Sequence, residues 1–305
     1  MHYHINLISA SNINSAKWDK CILNASNGLI YSQYSYLNAI ADHWDAIIIN
    51  DYETIMPIPW RIKAGIKYAY TPAFIQQLGF VGELNNIPIQ LIIKQIQQRF
   101  KYGTLLFNNG NDFIEKIYPT HKKLNLIQPL NQTPKLIFSK FRSDHSQSIL
   151  KAKESGMIYL SDLPIHKTFE LYKKYHAKKT PHITNGNYEQ FENYCSSDLA
   201  KKNKCFTRTI LNKEGALLAT ALFLSDHKRL YNILNTTTLE GRSMKANHYL
   251  FYLLMNEFSE QHLILDFEGS SLPGVAEFYG GFGAEQEYYY SYHYNKLPFP
   301  LSLFR

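Results

Sequence analysis

The segment TTTLEGRSMKAN, residues 236–247, concentrates groups that bind anions. A glycine allows close approach of the backbone, two cations supply charge, and hydroxyl groups donate hydrogen bonds. These residues are Thr237, Thr238, Gly241, Arg242, Ser243 and Lys245. The segment joins a predicted strand, Arg229 to Thr236, to a predicted helix, Ala246 to Ser259, and the N-terminus of a helix attracts anions. We therefore predict a phosphate or pyrophosphate site here, with an ordinary polar loop and a capped helix as the alternative.

Two carboxylates lie at the end of the next predicted strand, Leu263 to Phe267. Asp266 and Glu268 are two residues apart, so their side chains share one face of a continuous strand. A carboxylate at this place can orient a nucleophile or take up its proton through water. Glu268 is the stronger candidate, because the turn Gly269-Ser270-Ser271 that follows would leave it exposed. In the alternative interpretation, both carboxylates cap the following helix or pair with a lysine.

A repeated order of elements positions these groups. Strand, two helices, three strands, helix and strand occur once before about residue 139 and once after it. We therefore predict an α/β protein with two domains of one fold, residues 1–138 and residues 139–305. Residues 121–138 are interpreted as two further strands. Gly156 is interpreted as the left-handed cap of a helix from Arg142 to Ser155.

Composition and charge exclude several classes of protein. Of the 305 residues, 45% are hydrophobic and 19% are charged, which excludes a disordered or collagen-like chain. The formal net charge of +7 favours anionic partners without naming one. Three cysteines and twelve histidines show no metal-ligand spacing, so we expect no metal. Neither a signal peptide nor an apolar run long enough for a bilayer is visible, so we expect a soluble, cytoplasmic protein without membrane insertion.

Three stretches of the sequence carry a resemblance to a known family. They are SKFRSDHSQSILKAKESG (139–156), EGRSMKANHYLFYLLMNEF (240–258) and LDFEGSSLPGVAEFYGGFGAEQEYYY (265–290). They resemble the C-terminal half of the Fem-type transferases and their bacterial relatives in the Gcn5-related N-acetyltransferase (GNAT) superfamily. The resemblance implies two tandem GNAT domains, each a mixed sheet flanked by helices. It places the donor site in the second domain and makes the first a degenerate copy.

The resemblance also implies roles for individual residues. In FYGGFG, residues 278–283, Tyr279 stands where Fem enzymes carry a lysine that is associated with aminoacyl transfer. It resembles instead the tyrosine of acyl-CoA GNAT enzymes that protonates the departing thiolate. The alternative is that Tyr279 only packs against the neighbouring phenylalanines. In this fold an acceptor amine would lie near Asp266 and Glu268, which makes both of them candidate catalytic residues.

The predicted phosphate loop, residues 242–247, resembles the family's Gln/Arg-x-x-Gly-x-Gly/Ala pattern but differs from it at the first glycine. From the arginine onward it consists of Arg242, Ser243, Met244, Lys245, Ala246 and Asn247. Lys245 replaces the first glycine, and its Cβ would obstruct backbone binding of a pyrophosphate unless the loop has a different shape. Lys179 and His182 lie in a loop between two helices where acceptor loops fall in this fold. They are therefore implied substrate-binding residues, although a solvated side chain is the alternative for His182.

The residues and the resemblance together predict an N-acyltransferase. The expected co-substrate is acyl-CoA or a related thioester, and the expected acceptor is an amine. We expect no tightly bound cofactor. One alternative is a Fem-like transferase that uses aminoacyl-tRNA and acts on a cell-wall precursor, which would make tRNA a partner. A second alternative is a catalytically inactive GNAT-fold binding protein. The sequence leaves the acceptor, the acyl chain and the oligomeric state open.

Overall fold

The computed structural model describes residues 3–161, 163–198, 200, 205–269 and 272–303. Contacts between Cα atoms divide the chain into two compact units. The first comprises Met1–Lys123 together with Tyr288–Arg305, and the second comprises Leu124–Glu287. Both units combine strands with helices, so the chain is an α/β protein, as the sequence predicts.

The strands, numbered along the chain, have the following bounds. They are β1 (Ile5–Ser9), β2 (His43–Ile49), β3 (Thr54–Lys63), β4 (Ile66–Ala69), β5 (Val81–Gly82), β6 (Tyr102–Phe107), β7 (His121–Pro129), β8 (Ile158–Leu160), β9 (Phe206–Leu211), β10 (Leu217–Ser225), β11 (Arg229–Thr237), β12 (Ile264–Asp266) and β13 (Glu285–Asn295).

The α-helices of the described residues are numbered in the same way. They are α1 (Ser15–Asn24), α2 (Tyr34–Ile40), α3 (Ile89–Arg99), α4 (Pro134–Ser139), α5 (Ser143–Glu154), α6 (Ile165–His176), α7 (Asn185–Ser196), α8 (Leu239–Ser243), α9 (Ala246–Glu257) and α10 (Pro273–Gly280).

The first unit contains a mixed sheet in the strand order β1-β2-β3-β4-β6-β13, with β5 paired to β3. Neighbouring strands are antiparallel except β4 and β6, which are parallel. Helix α3 packs on this sheet through isoleucines at helical spacing, namely Ile89, Ile92, Ile93 and Ile96. This spacing places all four on one face of the helix, and all four are buried.

The second unit contains a mixed sheet in the strand order β7-β12-β11-β10-β9-β8. Here β11 and β12 are parallel and the other neighbours are antiparallel. Two parallel neighbours need a crossover connection, and α8 and α9 provide it. The strand–helix–strand unit predicted around residues 229–267 is therefore present.

Helices cover both faces of the sheet in the second unit. Thr220 of β10 shares a hydrogen bond of 3.0 Å between hydroxyl oxygens with Thr168 of α6. Its neighbours Ala219 and Ala221 point to the opposite face and belong to a core cluster with Phe251 of α9. Since both faces are covered, β11 and its neighbours are held from two sides.

The predicted order of elements is confirmed in both units. Strand, two helices, three strands, helix and strand occur as β1, α1, α2, β2–β4, α3 and β6, and again as β8, α6, α7, β9–β11, α9 and β12. In each copy the last strand runs parallel to the third strand of the group of three, β6 beside β4 and β12 beside β11. The two copies therefore share a topology as well as an order.

Each sheet also contains one strand from the other half of the sequence. In the first unit, β13 pairs with β6 through Tyr290–Asn295. In the second unit, β7 pairs with β12 through Ile127, Gln128 and Pro129. The units defined by contacts are therefore not simple halves of the chain. The division between residues 138 and 139 concerns where the second copy begins, and it stays a prediction.

Residues 121–138 differ from the two strands that we expected. The first part is β7, but the second part is the short helix α4. The side chain of Thr133 accepts a hydrogen bond from Leu136 N–H, and Pro134 occupies the first helical turn, where its missing N–H costs nothing. The expectation for Gly156 is confirmed, because α5 ends at Glu154 and Gly156 has φ of 71°.

Candidate functional site

β11 and β12 run side by side over only three residue pairs. Arg229, Leu230 and Tyr231 pair with β12, which ends at Asp266. β11 continues to Thr237. Residues 232–237 therefore have no β12 partner on that side, and peptide N–H and C=O groups at an unpaired strand edge can bind another extended chain.

A cavity of about 290 Å³ lies in the second unit beside this part of β11. It is lined by His176, Asn235, Thr237, Gly241, Arg242, Lys245, Asn247, His248 and Phe278. Two of these residues are cations and none is a carboxylate. The cavity is therefore suited to an anion, and five residues of the predicted phosphate site line it, namely Thr237, Gly241, Arg242, Lys245 and Asn247.

Helix α9 begins at the wall of this cavity without a side-chain cap. Its N-cap residue is Lys245, which has φ of 62° and ψ of 28°. This left-handed conformation is the one that glycine adopts most easily, so the lysine reproduces a glycine-like turn. The first amide N–H groups of a helix lack partners within the helix and carry its positive dipole end. Lys245 thus adopts the backbone of a glycine but keeps its side chain, and the obstruction that we expected from that side chain stays a prediction.

The glycine of the loop serves helix packing. A Cβ on Gly241 would lie 2.1 Å from the carbonyl oxygen of Leu218, so only glycine lets α8 rest on β10. The N–H of Gly241 donates to the Thr238 hydroxyl at 3.0 Å. This amide is therefore already occupied by the cap of α8 and is not free to bind a phosphate.

The other predicted loop residues have different surroundings. Ser243 is exposed, and its hydroxyl donates to the carbonyl oxygen of Glu240 at 2.7 Å. Ala246 is fully buried in the core of the second unit. Asn247 exchanges two hydrogen bonds, of 3.0 and 3.1 Å, with Asn235 of β11. Of these three, the structure brings only Asn247 to the cavity.

Two histidines at the cavity were not predicted from the sequence. Burial, followed by the charges of His145 and Lys245, lowers the pKa of His248 to about 4. Burial and the charges of Lys179 and Arg242 lower the pKa of His176, and a hydrogen bond to the backbone of Asn235 partly opposes this. The Nε2 atom of His176 has no hydrogen-bond partner among the described residues. Both imidazoles are therefore neutral near pH 7. His176 belongs to α6 and His248 to α9, so no short sequence motif contains both of them.

Tyr279 lies at the other end of the unpaired part of β11. Its hydroxyl accepts a hydrogen bond of 2.9 Å from Asn232 Nδ2, which also donates to the carbonyl oxygen of Phe267 at 3.1 Å. The ring stacks on the Phe267 ring with centroids 4.6 Å apart. Burial strongly raises the pKa of Tyr279, so the hydroxyl is a neutral phenol. Asn232 Oδ1 is buried and has no partner within the described parts of the chain.

The two carboxylates do not share a strand face as we expected. β12 ends at Asp266, and Glu268 has φ of 51°, which is incompatible with a continuing strand. Asp266 is fully buried and accepts hydrogen bonds from Arg229 and Asn125, both of 3.0 Å, and from the N–H of Glu268 at 3.1 Å. Asp266 thus fixes the turn. Ser270 and Ser271 of the predicted turn lie outside the described residues.

Glu268 lies close to two tyrosines. The pKa of Tyr279 is affected most by burial, then by the hydrogen bond from Asn232, and then by the negative charge of Glu268. The charge of Glu268 raises this pKa. Burial, then the charges of Tyr188 and Glu268, raise the pKa of Tyr172 of α6 to about 12. A half-buried carboxylate and a neutral phenol therefore lie within electrostatic reach of each other beside β11.

Lys179 and His182 lie in the exposed connection between α6 and α7. The charge of Lys179 contributes to the lowered pKa of His176, so this lysine lies near the cavity. His182 is exposed and does not line the cavity. Their predicted role in binding an acceptor stays a prediction.

The motif FYGGFG positions α10 through a glycine. A Cβ on Gly281 would lie 2.2 to 2.5 Å from atoms of the His145 ring. That ring is 3% exposed, and its Nε2 is 2.8 Å from the carbonyl oxygen of Phe278. Gly281 therefore makes room for the histidine that contacts Phe278, the residue before Tyr279.

The described part of the chain contains no group of three or more His, Cys, Asp or Glu side chains placed to hold a metal ion. It also contains no helix that is both long enough and apolar enough to span a bilayer.

No protein-family model and no curated protein sequence matches this chain. Solved structures are similar to it. FemX has a TM-score of 0.68 at 12% identity, over 97% of this chain and 98% of that chain. The tandem GNAT protein from the clavulanic acid biosynthesis pathway has 0.57 at 9% identity, over 97% and 99%. L-PGS from Bacillus licheniformis has 0.56 at 11% identity, over 94% of each chain. The chain therefore has a Fem-type tandem GNAT fold.

Proposed function

We propose that the chain is an N-acyltransferase that moves an acyl group from acyl-CoA, or a related thioester, to an amine. The observation that carries this proposal is the uncapped start of α9, with Arg242 and Lys245, beside the unpaired edge of β11. A CoA thioester consists of an anionic head, which suits the helix start and its two cations, and an extended arm, which suits the unpaired strand edge. The fold supports the proposal, because acetyl transfer to nitrogen is the reaction for which the GNAT superfamily is named.

The donor phosphates bind at the cavity in this proposal. The first amide groups of α9 donate to phosphate oxygens, and Arg242 and Lys245 neutralise their charge. The neutral His248 adds a donor or acceptor without adding charge. The pantetheine arm contains amide groups and lies along residues 232–237, where Asn232 Oδ1 accepts an N–H that it otherwise lacks.

The reaction is direct attack of the amine nitrogen on the thioester carbonyl carbon. The C–N bond forms and the C–S bond breaks, which gives an amide and a CoA thiolate. Tyr279 gives its phenolic proton to the thiolate, and Asn232 holds the phenol oxygen in place. Glu268 takes the proton from the amine through a water molecule. Proton return from Glu268 to the Tyr279 phenolate restores both groups.

Donor binding is tested by calorimetry and thermal shift with acetyl-CoA and with longer acyl-CoAs. Loss of each phosphate contact costs about tenfold in affinity, so Arg242→Ala with Lys245→Ala should weaken binding by about a hundredfold. The matched control is Lys151→Ala with Lys213→Ala, two exposed lysines of the same unit that do not line the cavity. Absence of binding at millimolar acyl-CoA would refute the donor assignment.

The chemical step is tested with Tyr279→Phe, which keeps the ring stacking and removes the proton donor. We expect kcat to fall by at least about a hundredfold while donor affinity stays unchanged. Tyr249→Phe, a half-buried tyrosine of α9, is the control. Unchanged turnover in Tyr279→Phe would remove its catalytic role. Transfer from aminoacyl-tRNA without any binding of acyl-CoA would refute the proposal as a whole.

A further inference from the structure

A second cavity, of about 600 Å³, lies in the first unit. It is lined by Lys63, Ala64, Ile66, Tyr68, Tyr102, Leu297 and Leu301. Cross-strand pairing places Lys63 opposite Ile66 and Tyr68 beside Tyr102, so these side chains share one face of the sheet. The α3 core lies on the opposite face. The cavity thus has apolar and aromatic walls with a lysine at its rim.

The segment 297–303 forms the remaining wall and exposes large apolar side chains. Phe299 is 81% exposed and Leu303 is 71% exposed. The segment is not loose, because Asn295 accepts from the N–H of Leu297 at 3.1 Å and donates to the carbonyl oxygen of Ser302 at 2.9 Å. A fixed segment that presents phenylalanine and leucine to the exterior indicates contact with an apolar partner.

The charges around the cavity that are not paired with an opposite charge are positive. Residues 61–70, 99–104 and 293–303 contain six lysines or arginines and no carboxylate. Arg61 and Arg99 pair with aspartates from elsewhere. Lys63, Lys101 and Lys296 have no carboxylate partner among the described residues. The backbone N–H of Lys296 donates to the carbonyl oxygen of Lys101 at 2.6 Å, so the backbones of these two lysines are neighbours in the fold.

We propose that this face of the first unit docks on a membrane surface that contains anionic phospholipid. Phe299 and Leu303 enter the boundary between headgroups and acyl chains, and the tyrosines lie at headgroup level, where such rings are favoured. Lys63, Lys101 and Lys296 meet lipid phosphates. The partner is a lipid surface because exposed apolar groups occur together with lysines that have no carboxylate partner, which matches an anionic bilayer.

The test is sedimentation of the full chain with vesicles of phosphatidylglycerol and phosphatidylcholine, and with phosphatidylcholine alone. We expect binding to the anionic vesicles that weakens as salt is raised. Replacing Lys63, Lys101 and Lys296 by glutamine should weaken it by about fivefold per lysine. The control replaces Lys151, Lys153 and Lys213, exposed lysines of the other unit, and should bind as the parent does.

The apolar contribution is tested with Phe299→Ser and Leu303→Ser together. We expect at least about a tenfold loss of vesicle affinity. Leu239→Ser with Leu272→Ser is the control, since these leucines are 74% and 64% exposed in the second unit. Three results would overturn the proposal: no binding to anionic vesicles, binding that none of the variants changes, or a serine variant that alters the oligomeric state instead. Equal affinity for a monomeric fatty acid would also overturn it, because the cavity would then hold a free amphiphile.

Discussion

Arg229, the first residue of β11, joins two buried carboxylates. Its guanidinium donates to Asp266 at 3.0 Å and to Glu287 at 2.7 and 2.9 Å. Side-chain exposure is 8% for Arg229, 0% for Asp266 and 10% for Glu287. In Arg229→Met, the methionine fills most of the space but leaves both negative charges without their cation. We expect the free energy of unfolding to fall by about 3–5 kcal/mol near neutral pH.

The same variant should show a characteristic pH dependence. Burial raises the pKa of Asp266 and the charge of Arg229 opposes that rise, so removing Arg229 raises the pKa further. For an acid whose folded-state pKa is raised, the folded state is favoured at low pH and loses stability as pH rises through that pKa. The deficit of Arg229→Met should therefore be largest at about pH 8 and shrink toward about pH 5.

Urea unfolding of the parent and the variant at both pH values measures this deficit. Arg208→Met is the matched control, because Arg208 pairs with Glu257, whose side chain is 34% exposed and keeps access to water. The control should lose only about 1 kcal/mol. Equal losses in the two variants, or a deficit for Arg229→Met that does not change with pH, would refute the argument from uncompensated buried charge.

Two further predictions concern the same unit. Gly281→Ala places a Cβ against the buried His145 ring and should cost about 1–3 kcal/mol in urea unfolding, whereas Gly280→Ala, with no atom within 4 Å of the added Cβ, should cost far less. Equal costs would show that the ring moves freely. His248, with its pKa lowered to about 4, should make the protein lose stability as pH falls from about 6.5 to 4. His248→Gln should flatten this loss and the exposed His166→Gln should not, and an unchanged slope in His248→Gln would contradict the assigned pKa.

The sequence predicts the elements whose signals are local. α5 is found to within one residue at each end, because Gly156 stops it and Ile149 and Ala152 recur on one face. The second strand expected in residues 121–138 is wrong, because the cap at Thr133 and the proline after it outweigh the alternation of side chains. Both signals are visible in the sequence, and in residues 130–138 the capping signal is the one that decides the structure.

The site, too, is predicted only where its residues are close together in the sequence. Arg242 and Lys245 are close in sequence, so the sequence alone brings them to one cavity. His176 and Asn232 reach the site from α6 and β11, and only the fold makes them neighbours of the segments that were predicted. Asp266 and Glu268 were expected to share one face because alternation was continued past the end of β12. The structural expectation failed where the backbone leaves the strand.

The pairing of β13 with β6 and of β7 with β12 has a consequence for how the chain is made. A fragment that ends at residue 138 lacks β13, and a fragment that begins at residue 139 lacks β7, so each would expose a strand that normally has a partner. During synthesis, the sheet of the first unit stays incomplete until Tyr290–Asn295, which follow the second unit in the sequence, have been made. All residues of the second unit are therefore synthesised before the last strand of the first unit, although synthesis of the first unit begins earlier.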